Sequence, residues 1–107
     1  MLNTRVENSY VIVEMPENID LYNAAEIKKT LFPLSEENDF IAIDFEKVKV
    51  IDSSGLGVLA VLSKQMALES KSFALFNIPN NIFQIMKITS ADKYFSIYNS
   101  FDEIQRS

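Results

Sequence analysis

Two adjacent serines, Ser53 and Ser54, are the residues of this chain best placed to do chemistry. They lie in the hexapeptide Asp52-Ser53-Ser54-Gly55-Leu56-Gly57, which contains both glycines of the 107-residue chain. An apolar, strand-like run precedes the hexapeptide, and an apolar, helix-like run follows it. Because glycine costs roughly 1 kcal/mol in a helix relative to alanine, two glycines in a first turn predict that something approaches this backbone closely.

Several interpretations of the two hydroxyls compete. The simplest is that one serine caps the helix, because its oxygen can accept a hydrogen bond from an unpaired backbone amide. A serine nucleophile needs a base, and the chain has no histidine and no Gly-x-Ser-x-Gly motif. The common phosphate-binding loop needs Gly-Lys-Ser or Gly-Lys-Thr, although an isolated helix N-terminus can still hold an anion. A phosphoacceptor serine and an unmodified docking surface are the remaining interpretations.

Phosphorylation of Ser53 is compatible with a position in the first helical turn. A phosphate adds about −1.5 to −2 charges, and the dipole and free amides of a helix N-terminus tolerate such a charge. Phosphoryl transfer needs an exposed hydroxyl that approaches ATP in line, and Gly55 and Gly57 are expected to leave that approach clear. The fold is then expected to survive while the charge of its surface changes.

Composition argues against several classes of function. Ten Lys and Arg against fifteen Asp and Glu give a net charge of −5, which argues against direct binding of nucleic acid. The chain has no cysteine and no histidine, so we expect no metal, no cofactor and no enzymatic activity. Neither a signal-peptide core nor an apolar stretch of membrane-spanning length is present, and the expected location is cytoplasmic.

Strands and helices are expected to alternate around the junction. The strands are expected at 10–15, 40–45, 48–51, 72–76 and 95–98, and the helices at 21–34, 54–70, 80–88 and from residue 100 onward. Such alternation implies parallel pairing with right-handed crossovers. A further strand at 4–7, joined to the next by a turn at Asn8 and Ser9, makes the sheet mixed. We therefore predict an α/β fold with a four- to five-stranded mixed sheet and about four helices.

Single residues predict some element ends and faces. Pro33 is expected to end the first helix, which has Leu21 on its packed side, and residues 16–20 are expected to form a turn. Ser100 is expected to cap the last helix, with Glu103 three residues later. Tyr94 and the other aromatic residues near the C-terminus are expected to pack in the core. The packed face of the helix at 54–70 is expected to contain Leu56, Leu59, Ala60, Ser63, Met66 and Ala67.

The segment Asp52-Ser53-Ser54-Gly55-Leu56-Gly57-Val58-Leu59 resembles the signature of the STAS domain family, and more narrowly that of bacterial anti-sigma factor antagonists. Residues 18–24 are similar to the family's Gly-x-Leu-Asp-x-x-x-Ala entry into its first helix, with Glu17 standing about where the glycine would fall. Residues 40–45 resemble its central strand, and residues 88–104 resemble its C-terminal helix region. The resemblance covers nearly the whole chain and implies a single STAS domain over residues 1–107.

The resemblance also implies a mechanism. In that family the unmodified antagonist binds an anti-sigma factor that is also a serine kinase, and so frees a sigma factor. The kinase phosphorylates the first serine after the aspartate, here Ser53, and a PP2C-type phosphatase restores the free form. The implied docking edge contains Asp20, Asn23, Asp52, Ser54, Gly55, Leu56 and Gly57. The alternative is a STAS scaffold or lipid-transport subunit that docks without phosphorylation.

Overall fold

Five strands form the main sheet of the computed structural model, which describes residues 2–106. The strands of the described chain are β1 (Asn3–Glu7), β2 (Tyr10–Glu14), β3 (Asn18–Ile19), β4 (Phe40–Asp44), β5 (Val50–Ile51), β6 (Ser72–Phe76) and β7 (Ser96–Tyr98). The main sheet has the order β1-β2-β4-β6-β7, and β3 pairs with β5 in a separate two-stranded sheet. Strand β1 is antiparallel to β2, whereas the other neighbours in the main sheet are parallel. The predicted mixed sheet is confirmed.

Helices alternate with the parallel strands, as predicted. They are α1 (Ala24–Glu37), α2 (Ser53–Leu68), α3 (Asn80–Ile88) and α4 (Phe101–Arg106). A short 3-10 turn, Ala91–Tyr94, lies between α3 and β7. Within residues 2–106, no helix is both long enough and apolar enough to cross a membrane.

The alternation of side chains along the strands explains why helices lie on both faces of the sheet. Successive side chains of a strand point to opposite faces. Val11 and Val13 of β2 join the cluster that contains the buried residues of α1, α2 and α3, such as Leu59. Ile12 joins a second, smaller cluster with Ile104 of α4. The long helices therefore share one face of the sheet, and the short C-terminal helix covers part of the other.

Two local predictions, a hairpin turn and a helix cap, are confirmed. Asn8 and Ser9 have φ angles of 49° and 72°, and two positive φ values are typical of the tight turn that joins hairpin strands. At the start of α4, the Ser100 hydroxyl oxygen accepts a hydrogen bond from the Glu103 backbone amide at 3.3 Å. The turn and the cap were predictable because both depend on residues that are neighbours in the sequence.

Pro33 lies inside α1, so the prediction that it ends the first helix is wrong. A proline removes one backbone hydrogen bond of a helix, but contacts beyond it can hold the next turn. Ser35 is buried, and its carbonyl oxygen accepts a hydrogen bond from Lys71 Nζ at 2.7 Å. The helix therefore continues to Glu37, because packing and this distant lysine fix its last turn.

The segment before α1 also differs from the prediction. The helix begins at Ala24, and residues 21–23 form a turn instead of its first residues. Residues 16–20, expected to be a turn, contain β3, in which Ile19 pairs with Ile51. This small sheet brings the chain before α1 against the chain before α2, which is the region of the candidate site.

The packed face of α2 is rotated relative to the prediction. Leu62 is buried in the core, although the prediction left it out. Ser63 is half-buried and its hydroxyl donates to the Tyr94 carbonyl oxygen at 2.7 Å, while Ala67 is exposed. Leu62 is buried in place of Ser63 and Ala67 because α2 contacts α1 as well as β6 and the 3-10 turn.

Candidate functional site

Asp52, and neither serine, caps helix α2. Its Oδ1 atom accepts hydrogen bonds from the backbone amides of Ser54 at 2.9 Å and Gly55 at 3.2 Å. The interpretation of one serine as the cap is therefore wrong, since an aspartate at this position satisfies the same amides. Ser53 is the first residue of the helix and is exposed, whereas Ser54 is half-buried.

The second carboxylate oxygen of Asp52 fixes the loop before α1. Leu21 N donates to Asp52 Oδ2 at 3.1 Å, and Asp52 N donates to the Ile19 carbonyl oxygen at 3.0 Å. One side chain thus accepts hydrogen bonds from both segments. The loop of residues 20–23, which contains Asp20 and Asn23, is therefore held beside the start of α2.

Asp20 and Asn23 give this loop a defined shape. Asp20 Oδ1 accepts a hydrogen bond from Tyr22 N at 2.9 Å, and Asn23 Oδ1 accepts one from Asp20 N at 2.9 Å. Asn23 Nδ2 donates to the Asn18 carbonyl oxygen at 2.6 Å. Side chains of this type commonly close turns in this way. Both residues therefore shape the loop, and Asn23 is half-buried while doing so.

The loop exposes two apolar side chains that the sequence reasoning missed. Tyr22 is 95% exposed, and Leu21 is also exposed. Leu21 was expected on the packed side of the first helix, which is wrong because the helix starts three residues later. Two apolar residues directly after Asp20 were the feature of the sequence that could have predicted this exposed surface. Exposed tyrosines are common anchors of protein interfaces.

The two glycines of the hexapeptide have different surroundings. A Cβ atom on Gly55 would clash with Ile19 Cγ2 and would lie 3.0 Å from the Ile19 carbonyl oxygen. A Cβ atom on Gly57 would meet no atom within 4 Å. The close approach predicted from the glycines is therefore made at Gly55 by β3 of the same chain. This corrects the expectation that both glycines clear space for an incoming molecule, which now applies to Gly57 alone.

An apolar groove of about 260 Å³, which we call the Ser53 groove, runs from the start of α2 toward α3. Thr89 and Ala91 contribute to its far side. Tyr94 lines it and is 65% exposed, so the expectation that Tyr94 packs in the core is wrong. The rest of its lining is formed by Ile51, Asp52, Ser53, Leu56, Gly57, Ala60 and Ile85. Leu56 is buried and so offers little surface of its own, although it lines the groove.

The charge around Ser53 is negative. Asp52 adjoins it, and Asp20 lies in the loop that Asp52 fixes. The amides of Ser54 and Gly55 already donate to Asp52, which corrects the expectation that they are free to hold a phosphate. Among residues 2–106, no cluster of metal-ligating side chains is found. The candidate site thus combines the exposed Ser53 with an adjoining carboxylate and an apolar groove.

The resolved pKa shifts lie away from Ser53. Lys47 Nζ donates to Glu14 Oε1 at 2.9 Å, and this hydrogen bond lowers the pKa of Glu14 and raises the pKa of Lys47. Burial raises the pKa of Tyr10. None of these groups lines the Ser53 groove.

The family model for the STAS domain matches residues 1–104. The chain belongs to the STAS domain family. The anti-sigma-B factor antagonist of Bacillus subtilis (strain 168) is 30% identical to this STAS domain over 77 residues, which are 72% of this chain and 71% of the relative.

Solved structures share the STAS fold. A Thermotoga maritima protein proposed to be an anti-sigma factor antagonist matches with a TM-score of 0.88 and 25% identity, over 98% of this chain and 92% of that chain. The Bacillus anti-sigma factor antagonist SpoIIAA matches in its unphosphorylated form with a TM-score of 0.78, over 99% of this chain and 95% of that one. Its phosphorylated form matches with a TM-score of 0.73, over 99% and 98%. Identity to SpoIIAA is 15%, so this likeness concerns the fold.

Proposed function

We propose that this chain is a single-domain, phosphorylation-controlled antagonist of an anti-sigma factor. The unmodified protein binds an anti-sigma factor that is also a serine kinase, and a sigma factor is released. The kinase phosphorylates Ser53, which ends the interaction, and a PP2C-type phosphatase restores the docking form. In this proposal the protein is a cytoplasmic docking module without catalytic activity of its own.

The observation that carries the proposal is that exposed Ser53 itself lines an apolar groove. The preceding residue, Asp52, fixes the loop that exposes Leu21 and Tyr22. A protein that docks in the Ser53 groove therefore reaches Ser53. The curated relative is named an anti-sigma-B factor antagonist, and SpoIIAA, which shares the fold, is known in a phosphorylated form.

The local charges supply the switch. A phosphate on Ser53 adds about −1.5 to −2 charges next to Asp52. The Asp52 carboxylate already accepts the hydrogen bonds of the Ser54 and Gly55 amides. In a closed interface this charge meets like charge and a desolvation cost. A penalty of about 3–4 kcal/mol lowers affinity by two to three decades, which is enough to turn docking off.

The test combines site mapping with binding. Phosphopeptide mapping of the protein from its native cells is expected to find phosphate on Ser53 and none on Ser54. Each serine-kinase anti-sigma factor of the source organism is then titrated by calorimetry against Ser53→Ala, Ser53→Asp and the matched control Ser54→Ala. We expect Ser53→Asp to bind about 100- to 1,000-fold more weakly than wild type, and the two alanine variants to bind within a few-fold of it.

Two results would count against the proposal. Equal binding of Ser53→Asp and wild type contradicts a switch based on charge. No phosphate on Ser53 under any growth condition, together with co-purification of scaffold or transporter components, favours the alternative of a STAS docking module that is not phosphorylated.

A further inference from the structure

Gly57 lies where two apolar grooves meet on α2. It lines the Ser53 groove on one side of the helix. On the other side it lines a second groove of about 190 Å³, between α1 and α2, together with Lys28, Phe32, Val58 and Val61. We call this second groove the Phe32 groove. A path across α2 at Gly57 therefore joins the two grooves.

Nothing in residues 2–106 explains a glycine at this position. Neither glycine of the chain has a positive φ angle, so backbone conformation does not require one. A Cβ atom on Gly57 would meet no atom within 4 Å, whereas packing against Ile19 accounts for Gly55. Glycine inside a helix costs roughly 1 kcal/mol relative to alanine. Gly57 thus destabilises α2. Its missing side chain leaves the helix surface open between the two grooves.

We propose that a segment of the partner kinase crosses α2 at Gly57 and inserts apolar side chains into both grooves. The inference rests on the proposed function. The segment is assigned to the kinase because the kinase is the protein that must reach Ser53. Because Ser53 lines the first groove, an enzyme that reaches its hydroxyl must cover that groove. The missing side chain at Gly57 lets the segment continue into the Phe32 groove, where Val61 is 57% exposed.

Charges at the two ends of this path indicate the chemistry of the segment. The Ser53 end carries Asp52. The far end carries Lys28, whose Nζ lies 5.4 Å from the centre of the Phe32 ring. A matching segment has a basic group near Ser53, apolar side chains on both sides of its crossing point, and an acidic group near Lys28. Such complementarity mainly sets orientation and association rate.

The experiment separates the stability of the free protein from its affinity. Gly57→Ala, Gly57→Leu, Val61→Ser and the control Leu68→Ser are titrated with the kinase that binds wild type and rejects Ser53→Asp. Leu68 is an exposed apolar residue of the same helix that lines neither groove. Thermal unfolding of each variant without the kinase is measured alongside.

We expect Gly57→Ala to unfold at a higher temperature than wild type and yet to bind the kinase about tenfold more weakly. Gly57→Leu is expected to bind more weakly still, Val61→Ser to lose about five- to tenfold, and Leu68→Ser to bind as wild type does. If the kinase rejects Ser53→Asp but binds Gly57→Leu and Val61→Ser as it binds wild type, the crossing is wrong and the proposed function stands. If no serine-kinase anti-sigma factor binds wild type, the proposed function fails and this inference fails with it.

Discussion

The N-terminal end of α2 contains both glycines of the chain, whereas the C-terminal ends of α2 and α3, where glycine is usual, contain serine instead. At the N-terminal end, Gly55 and Gly57 have φ angles that any residue adopts. At the C-terminal ends, Ser70 and Ser90 have left-handed φ angles of 60° and 61°. Glycine is the usual residue in such a conformation, which costs other residues roughly 1–2 kcal/mol. The two glycines therefore leave space beside the helix, whereas Ser70 and Ser90 adopt the strained left-handed conformation.

Helix α2 shows the contrast within one element. After its last turn, Lys71 N donates to the Met66 carbonyl oxygen at 2.8 Å, and Ser70 N donates to the Ala67 carbonyl oxygen at 3.0 Å. This is the hydrogen-bond pattern in which a glycine is most common. The space at the opposite end is used by Ile19 at Gly55 and, in our proposal, by a partner at Gly57. Gly55→Ala and Ser70→Gly should therefore have opposite effects on stability.

The largest expected effect is the loss of stability in Gly55→Ala. The new methyl group would clash with buried Ile19 and would lie 3.0 Å from its carbonyl oxygen, so β3 must shift. Overpacking of this kind costs about 1–3 kcal/mol, and contact with backbone places Gly55→Ala at the upper end. Urea unfolding followed by circular dichroism measures the change in the free energy of unfolding.

Gly57→Ala is the matched control, and it is expected to raise the free energy of unfolding by up to about 1 kcal/mol. Adding Ile19→Leu to Gly55→Ala removes the clashing γ-methyl group and should restore part of the lost stability. A Gly55→Ala variant as stable as wild type would contradict the assignment of Gly55 to internal packing.

Features that depend on neighbouring residues were predictable from the sequence. Apolar runs rich in β-branched residues predicted the strands, and the Asn8-Ser9 turn predicted the hairpin. Strand β3 is only two residues long, too short for a periodic pattern, so it was assigned to a turn. Local rules predict that Pro33 ends the helix, and this prediction was wrong because Lys71, far along the chain, holds the turn beyond it.

The candidate site was predictable in position but not in the roles of its residues. Aspartate and serine both suit a helix N-cap, so the sequence does not decide between Asp52 and the serines that follow it. The grooves are invisible in the sequence because they bring distant segments together, as Ser53 and Tyr94 show. Gly55 and Gly57 look equivalent in the sequence, and their difference appears only once Ile19 is located.

A smaller effect of opposite sign is expected at the C-terminal ends. Ser70→Gly and Ser90→Gly relieve the left-handed strain, and the greater entropy of glycine in the unfolded chain offsets part of this gain, so each should stabilise the protein by about 0.5–1 kcal/mol. Thermal unfolding of the single and double variants measures the change. The two sites follow different helices, α2 and α3, so their effects are expected to add.

Asn77→Gly is a control for Ser70→Gly and Ser90→Gly. Asn77 has a φ angle of 57°, but its side chain also donates to Asp44 Oδ1 at 3.3 Å. Asp44 is only 4% exposed, and a buried carboxylate that loses a donor is costly. We therefore expect no gain from Asn77→Gly. Equal stabilisation by Asn77→Gly and Ser70→Gly would mean that this hydrogen bond contributes nothing.

The smallest expected effect concerns the ion pair between Lys47, which precedes β5, and Glu14 at the end of β2. Lys47 is exposed and Glu14 is half-buried, and ion pairs that remain in contact with solvent contribute little. The hydrogen bond from Lys47 holds the pKa of Glu14 below its ordinary value of 4.5. The contribution of Glu14 is therefore complete above that value and is lost as the pH falls through the lowered pKa.

Wild type should lose slightly more stability than Glu14→Gln when urea unfolding is compared at about pH 6 and about pH 3. The difference between the two proteins is expected to stay far below the loss in Gly55→Ala, because solvent screens the ion pair whereas the methyl group of Gly55→Ala meets buried Ile19. A difference as large as that loss would contradict the small contribution assigned to this ion pair. An identical response of the two proteins to acid would mean that the ion pair is absent in solution.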